Sequence, residues 1–189
     1  MRAVIVALFS KNIKIGDFQL SSQEPRYSNR SWTGSHIQRN TGIQYYQISF
    51  TLNFNKKDIQ EYQSFIAKYG QGAAFAMDLG HLSTYYGSQQ TSLRATAVAA
   101  KGVSAITCST NTLEVGTLIQ FSNHKKIYRI IGNSSNVMTV FPALRASVAI
   151  NETVKYSNIE GSFVLDVDND LKLSVGNVMN ITLKATEDI

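Results

Sequence analysis

The chain is short of charge, of cysteine and of long apolar runs, and each shortage removes a class of function. Only 16% of its 189 residues are charged, against about 25% in ordinary soluble domains. Asn, Gln, Ser and Thr supply much of the remaining polar surface. That texture is common in β-rich chains that bury surface against copies or partners. The single cysteine, Cys108, excludes an internal disulfide and any cysteine-based zinc site. Within "AITCSTN" it reads as a small apolar strand residue rather than a nucleophile. His36, His81 and His124 are far apart in sequence, without HxxxH spacing, so no metal site is expected. No segment approaches the ~18 apolar residues of a membrane span, and no membrane partner is expected. "MRAVIVALFS" is too short an apolar stretch for a signal peptide and lacks a small-residue cleavage site. Residues 2–9 read better as a buried first strand.

Catalytic signatures are missing too. There is no GxSxG, no phosphate-binding GxxxxGK and no GxGxxG. Asp78 and His81 are close in sequence, but no candidate nucleophile with supporting spacing accompanies them. "DVDND" (166–170) resembles the start of a calcium loop. It lacks the glycine and terminal glutamate that such a loop needs, so a polar hairpin turn is the better reading. "NRS", "NSS", "NET" and "NIT" match the glycosylation sequon, as chance provides in a chain of this composition. No catalytic residue and no cofactor is expected.

The net charge is +5, and it is unevenly placed. Arg2, Lys11, Lys14, Arg26, Arg30, Arg39, Lys56 and Lys57 face only Asp17 and Glu24 within residues 1–57, so the rest is close to neutral. A basic half suits nucleic acid, but these charges form no run, and a solvated or protein-facing surface is expected. Trp32 sits among Arg26, Tyr27, Arg30, His36 and Arg39. Aromatics interleaved with arginine stack on bases or sugars, and they also make protein–protein hot spots.

Hydrophobic periodicity defines the elements. A loop over 20–36 leads to a strand near 30–38. In "QYYQISFTLNF" (44–54), Tyr46, Ile48, Phe50, Leu52 and Phe54 alternate with Tyr45, Gln47, Ser49, Thr51 and Asn53. This predicts a long strand with one buried and one wet or partner-facing side. A helix follows over about 56–69, with Asn55 as N-cap and Asp58 in the first turn. Ile59, Tyr62, Phe65, Ile66 and Tyr69 form its apolar stripe, and Gly70 sits at C′. "AAFAMDLG" (73–80) reads as a strand and 81–92 as a polar connection. Beyond it, short strands recur every eight to twelve residues at "RATAVA", "SAITCS", "TLIQFS", "KKIYRII", "VMTVF" and "ETVKYS", which suggests a small barrel or sandwich. "GTLIQFSNHKKIYRIIG" is a hairpin carrying Ile119 and Phe121 on one arm and Ile127, Tyr128 and Ile130 on the other. In "VMTVFPALRA", Pro142 ends a strand, Leu144 tucks back, and Arg145 either anchors the loop or contacts another subunit. "VMNITLKA" alternates Met179, Ile181, Leu183 and Ala185, and is expected to pair with the first sheet.

The expected architecture is mainly β with one helix. A β-sandwich-like domain (1–90 plus 158–189) is interrupted by a small β-barrel insertion (91–157).

Four features in order carry a family resemblance. These are "NRSWTGSHIQRNTGIQYYQISFTLNF", the helix "KKDIQEYQSFIAKYGQGAAFAMDL", "VGTLIQFSNHKKIYRIIGNSSNVMTVFPALRASVAINETV", and "GSFVLDV" with the returning terminal strand. Together they resemble the distal-tail or baseplate proteins of tailed bacteriophages, over roughly residues 28–185. The resemblance implies a non-catalytic structural virion protein, made in the host cytoplasm, that forms a ring at the tip of the tail tube. The ring is commonly sixfold. It would contact other copies of itself, the tail tube protein, and hub and fibre proteins, while DNA passes through its lumen without specific binding. Candidate subunit or partner contacts are Arg30, Trp32, Tyr45, Gln47 and Arg145. The alternative reading is a carbohydrate- or nucleic-acid-binding β-barrel module.

Overall fold

The computed structural model describes residues 8–173 and 176–189, so the strand expected over 2–9 lies almost wholly outside the described residues. Along the chain the elements are β1 (Lys14–Gln23), β2 (Arg26–Arg30), β3 (His36–Asn40), β4 (Tyr45–Asn55), α1 (Ile59–Tyr69), β5 (Phe75–Asp78), β6 (Leu93–Arg94), β7 (Ala105–Thr107), β8 (Leu118–Phe121), β9 (Tyr128–Ser134), β10 (Val137–Phe141), β11 (Thr153–Lys155), β12 (Glu160–Leu165) and β13 (Val178–Glu187). The chain is mainly β, with one α-helix among the described residues.

It divides into two compact units. Of the described residues, those up to Ser21, within Gln47–Met77 and within Ser162–Asp188 form the first; Ser22–Tyr46 and Asp78–Gly161 form the second, with Ile189. The second is wider than the 91–157 insertion read from the sequence. The 81–92 connection is part of it because hydrogen bonds tie it down. Leu79 N donates to Ile159 O (3.0 Å), Tyr85 N to Ser157 Oγ (3.1 Å), and Gln89 Oε1 accepts from Thr112 N (2.8 Å).

The first unit is built on a five-stranded sheet in the order β1-β4-β13-β12-β5. β4 alternates half-buried and buried residues along its length, with Tyr46, Ile48, Phe50, Leu52 and Phe54 inside. β13 lies antiparallel beside it, pairing Met179 with Phe54, Ile181 with Leu52, Leu183 with Phe50 and Ala185 with Ile48. A one-residue slip would turn both apolar rows to the wrong side, so the pattern itself fixes the register. α1 packs an aromatic seam on the inner side. Tyr62 stacks on Phe54 with centroids 5.4 Å apart, and Phe65 meets Phe75 edge-on at 5.4 Å.

Both helix ends differ from expectation. Asn55 makes no side-chain cap, and the chain enters through a 3-10 turn at Lys56–Asp58 whose first N–H goes to Asn177 O (3.0 Å). Gly70 remains right-handed (φ −67°) and donates to Ile66 O. The left-handed residue that turns the chain is Gly72 (φ 89°), where a Cβ would be strained.

The second unit is a small barrel. Its strands run β6-β11-β8-β9-β10-β7, and the two outer strands meet. Ala95 bridges Cys108, Thr96 N donates to Thr107 O and Ser109 N to Arg94 O, each at 2.9 Å. Closure removes the exposed edges that open sheets carry. Ile106, Ile119, Phe121, Tyr128, Ile130, Met138, Val140, Leu144, Val148 and Val154 fill the interior. The hairpin read from sequence is there, with Leu118 opposite Arg129 and Ile119 opposite Tyr128.

"VMTVFPALRA" is a corner of this barrel. β10 ends at Phe141, the Phe141–Pro142 bond is cis, and Leu144 turns inward at 1% exposure. Leu144 N donates to Val103 O (2.9 Å) and its carbonyl accepts from Gly102 N (2.8 Å). Arg145 N donates to the buried Tyr128 hydroxyl (3.0 Å). The anchor at Arg145 is therefore its backbone, while its side chain is exposed.

Candidate assembly surface

The second unit carries a two-stranded hairpin, β2–β3, where the sequence suggested a loop and one strand near 30–38. Its register pairs Arg26 with Asn40, Tyr27 with Arg39, Ser28 with Gln38, Asn29 with Ile37 and Arg30 with His36. Side chains opposite each other share a face. One face therefore carries Arg26, Ser28, Arg30, His36, Gln38 and Asn40, and the other carries Tyr27, Asn29, Ile37 and Arg39. From Arg26 to Asn40 every residue except Ser31 is exposed.

The tip and root are ordered by local bonds. Ser31 N donates to Ser35 O (2.8 Å) and Gly34 N to Ser31 O (2.9 Å). Gly34 takes φ 83° there, a conformation that favours glycine. At the root, Glu24 accepts from Arg129 (2.5 Å) and Arg26 (2.8 Å). These contacts, led by that with Arg26, hold the Glu24 carboxyl below the usual carboxylate range. Thr41 Oγ1 donates to Pro25 O (2.7 Å). Gln44 donates to Ser22 Oγ (3.0 Å) and accepts from Lys126 Nζ (2.8 Å). The hairpin is thus pinned at its base and bare along its length, with Trp32 fully exposed at the tip, Tyr27 at 73% and Ile37 at 58%.

Arg30 and Trp32, named from the sequence, are brought together on this hairpin. The other candidates are elsewhere. Tyr45 begins β4 and is half-buried. Gln47 lies on the outer face of the first unit's sheet and donates to Thr186 Oγ1 (3.2 Å). That face continues as a ladder of polar side chains in which Lys184, opposite Ser49, carries the one charge: Thr51 meets Thr182 at 3.0 Å, and Asn53 opposes Asn180. Arg145 belongs to the barrel corner.

The "DVDND" segment is tied to β13. Asn169 donates to Lys184 O and accepts from Lys184 N, both at 2.7 Å. Asp166 accepts from Thr186 Oγ1 (2.6 Å), and Lys172 pairs with Asp170 (2.9 Å). Among the described residues no group of three or more His, Cys, Asp or Glu is placed to hold a metal. Cys108 is buried in the barrel, where desolvation pushes its thiol pKa up. A thiol so held is a poor nucleophile. His124 is a core residue, bonded to the Tyr128 hydroxyl (3.1 Å) and Ser147 O (3.3 Å).

A concave feature was missed in the sequence. Tyr85 and Tyr86, with Glu114 and Tyr156, line a groove on the second unit. "TYYG" in a polar segment was the available signal, since adjacent tyrosines outside an alternating strand leave at least one ring without a core to enter. No protein-family model matches the chain, and neither does any curated protein.

Proposed function

We propose that this chain is a structural virion protein that assembles head-to-tail into a ring, sixfold by the resemblance, at the distal end of a bacteriophage tail. In this role it joins the tail tube to hub and fibre proteins, and DNA passes through the lumen without specific binding. The observation that carries the reading is the hairpin at 26–40. A two-stranded ribbon has marginal stability alone, and this one presents Tyr27, Trp32 and Ile37 to solvent. Aromatic residues and arginine concentrate where protein interfaces carry their binding energy. In a heterologous contact the hairpin of one copy meets a different surface on the next, and a closing rotation gives a ring.

Support also comes from the order of the sequence features and from the polar ladder on β4 and β13, which suits a wet subunit contact. Negative-stain images of the purified chain at micromolar concentration test the proposal. Closed rings with one preferred symmetry are expected. Class averages holding only single copies would overturn it.

A further inference from the structure

The barrel groove has the chemistry of a saccharide site, and nothing in the ring reading uses it. Its volume is about 420 Å³, within the usual span of ligand pockets, about 300–1,000 Å³. Tyr85, Tyr86, Gly87, Glu114, Thr117 and Tyr156 supply the lining that matters.

One hydrogen bond organises the floor. Tyr85 Oη donates to Glu114 Oε2 at 2.5 Å. Burial and Glu114 raise the Tyr85 phenol, while Tyr85 lowers the Glu114 carboxyl. At neutral pH the pair is therefore a neutral phenol and an ionised carboxylate. Gly87 makes room for it. A Cβ there would lie 2.2 Å from Tyr85 Oη and 2.6 Å from Glu114 Oε2. Its φ is outside the left-handed region, so glycine serves space and not conformation. The Tyr85 ring is braced edge-on against Tyr156 at 5.2 Å, and Tyr156 Oη donates to Thr91 O (3.0 Å).

The lining selects the ligand class. Its only formal charge is Glu114, so phosphates, sulfates and carboxylates meet a like charge without compensation. That disfavours nucleic acid, whose phosphates find no cation in the lining. Tyr85 and Tyr156 pack directly on each other, so they do not form the enclosing cage that binds a quaternary ammonium. What remains is one open ring, Tyr86 at 83% exposure, beside a fixed carboxylate with spare acceptor capacity and a threonine. A flat apolar ring next to hydroxyl-binding groups matches a pyranose, which has an apolar C–H face and a rim of hydroxyls. We infer that this groove binds a neutral glycan, with Tyr86 as the stacking platform and Glu114 accepting from sugar hydroxyls.

Ligand-observed saturation-transfer NMR on the full chain tests this. The probes are neutral glucose-, galactose- and N-acetylglucosamine-based oligosaccharides, a sialylated oligosaccharide, and single-stranded DNA. At least one neutral probe should bind, with affinity falling tenfold or more in both Tyr86→Ala and Glu114→Gln. Both side chains are exposed, so folding should be retained, and far-UV circular dichroism checks it. The sialylated probe and DNA should give no signal that these substitutions remove. Silence from every neutral probe at millimolar concentration overturns the inference. So does neutral binding untouched by both variants, or an anionic probe that binds the groove as well. Ring formation is read separately, so either idea can fail alone.

Discussion

Replacing Tyr128 by phenylalanine removes a single oxygen from the middle of the barrel. The side chain is 0% exposed, and its ring meets Phe121 edge-on at 5.7 Å, so the aromatic packing survives the change. What is lost is a relay. His124 Nε2 faces Ser147 O at 3.3 Å and can satisfy that carbonyl only as a donor. Nδ1 is then the acceptor, so Tyr128 Oη donates to it (3.1 Å) while accepting from Arg145 N (3.0 Å). Each such bond contributes about 0.5–1.5 kcal/mol net, and an abandoned buried partner costs about 1–3 kcal/mol. With one imidazole nitrogen and one backbone N–H left unpaired, the expected destabilisation is about 2–4 kcal/mol. Tryptophan emission is the wrong probe, because Trp32 is already fully exposed. Hydrogen exchange reports the barrel directly, and the Arg145 amide should lose protection far more than amides of α1. A loss below about 1 kcal/mol across the barrel amides, or an unchanged Arg145 amide, would refute the claim that this hydroxyl holds the Pro142 corner; the threshold is the worth of one ordinary bond.

Three smaller tests follow from other polar side chains. Glu152, 6% exposed, accepts from Asn123 N (3.0 Å) and Ala149 N (2.9 Å). Glu152→Ala should cost about 2–4 kcal/mol in urea unfolding and Glu152→Gln roughly half that, as expected for two backbone donors losing a charged acceptor. Tyr62 Oη is buried without a hydrogen-bond partner among the described residues, so Tyr62→Phe should be neutral or stabilising by up to about 1 kcal/mol; a clear loss would mean the hydroxyl has a role. The Glu24 carboxyl is depressed below its ordinary value of 4.5, so its stabilisation is complete above that pH and disappears as pH falls through the lower folded value. Comparing Glu24→Gln with the parent chain should show a deficit of about 0.5–1 kcal/mol at pH 7, small because the arginines are open to solvent, and a deficit that shrinks as the carboxylate is protonated on acidification below its ordinary value. A deficit that grows on acidification would contradict the assignment.

β4 and β13 were legible because each buries one side completely, which writes period two into the sequence. The barrel hairpin was legible for the same reason, with Ile119, Phe121, Tyr128 and Ile130 all inside. β1 was not read, because it is an outer strand whose residues are at most half-buried. Gly16 and the left-handed Asp17 (φ 48°) interrupt its alternation further. The β2–β3 hairpin buries no side and so has no periodicity to read. Arg30 and Trp32 were picked out by residue type instead, and the hairpin joins them. Gln47 was picked out as a partner contact, yet its amide is bonded within its own sheet, a pairing set by the register with β13 and invisible from β4 alone. The groove was hidden more deeply, since residues 82–87, 114–118 and 156 meet only once the barrel has closed.

The central claim is that the bare hairpin seats on a neighbouring copy. Tyr27, Trp32 and Ile37 are exposed in the single chain, so replacing all three by serine should leave its fold intact. In the assembly such anchors carry about 2 kcal/mol or more each, enough together to dissolve a ring at micromolar concentration. Light scattering coupled to size exclusion reads the mass of both proteins under identical conditions. The account predicts one multi-copy species for the parent chain and single copies for the triple variant, with matching circular dichroism. A parent chain that runs as single copies at tens of micromolar, or a variant that keeps the full assembly, would contradict it.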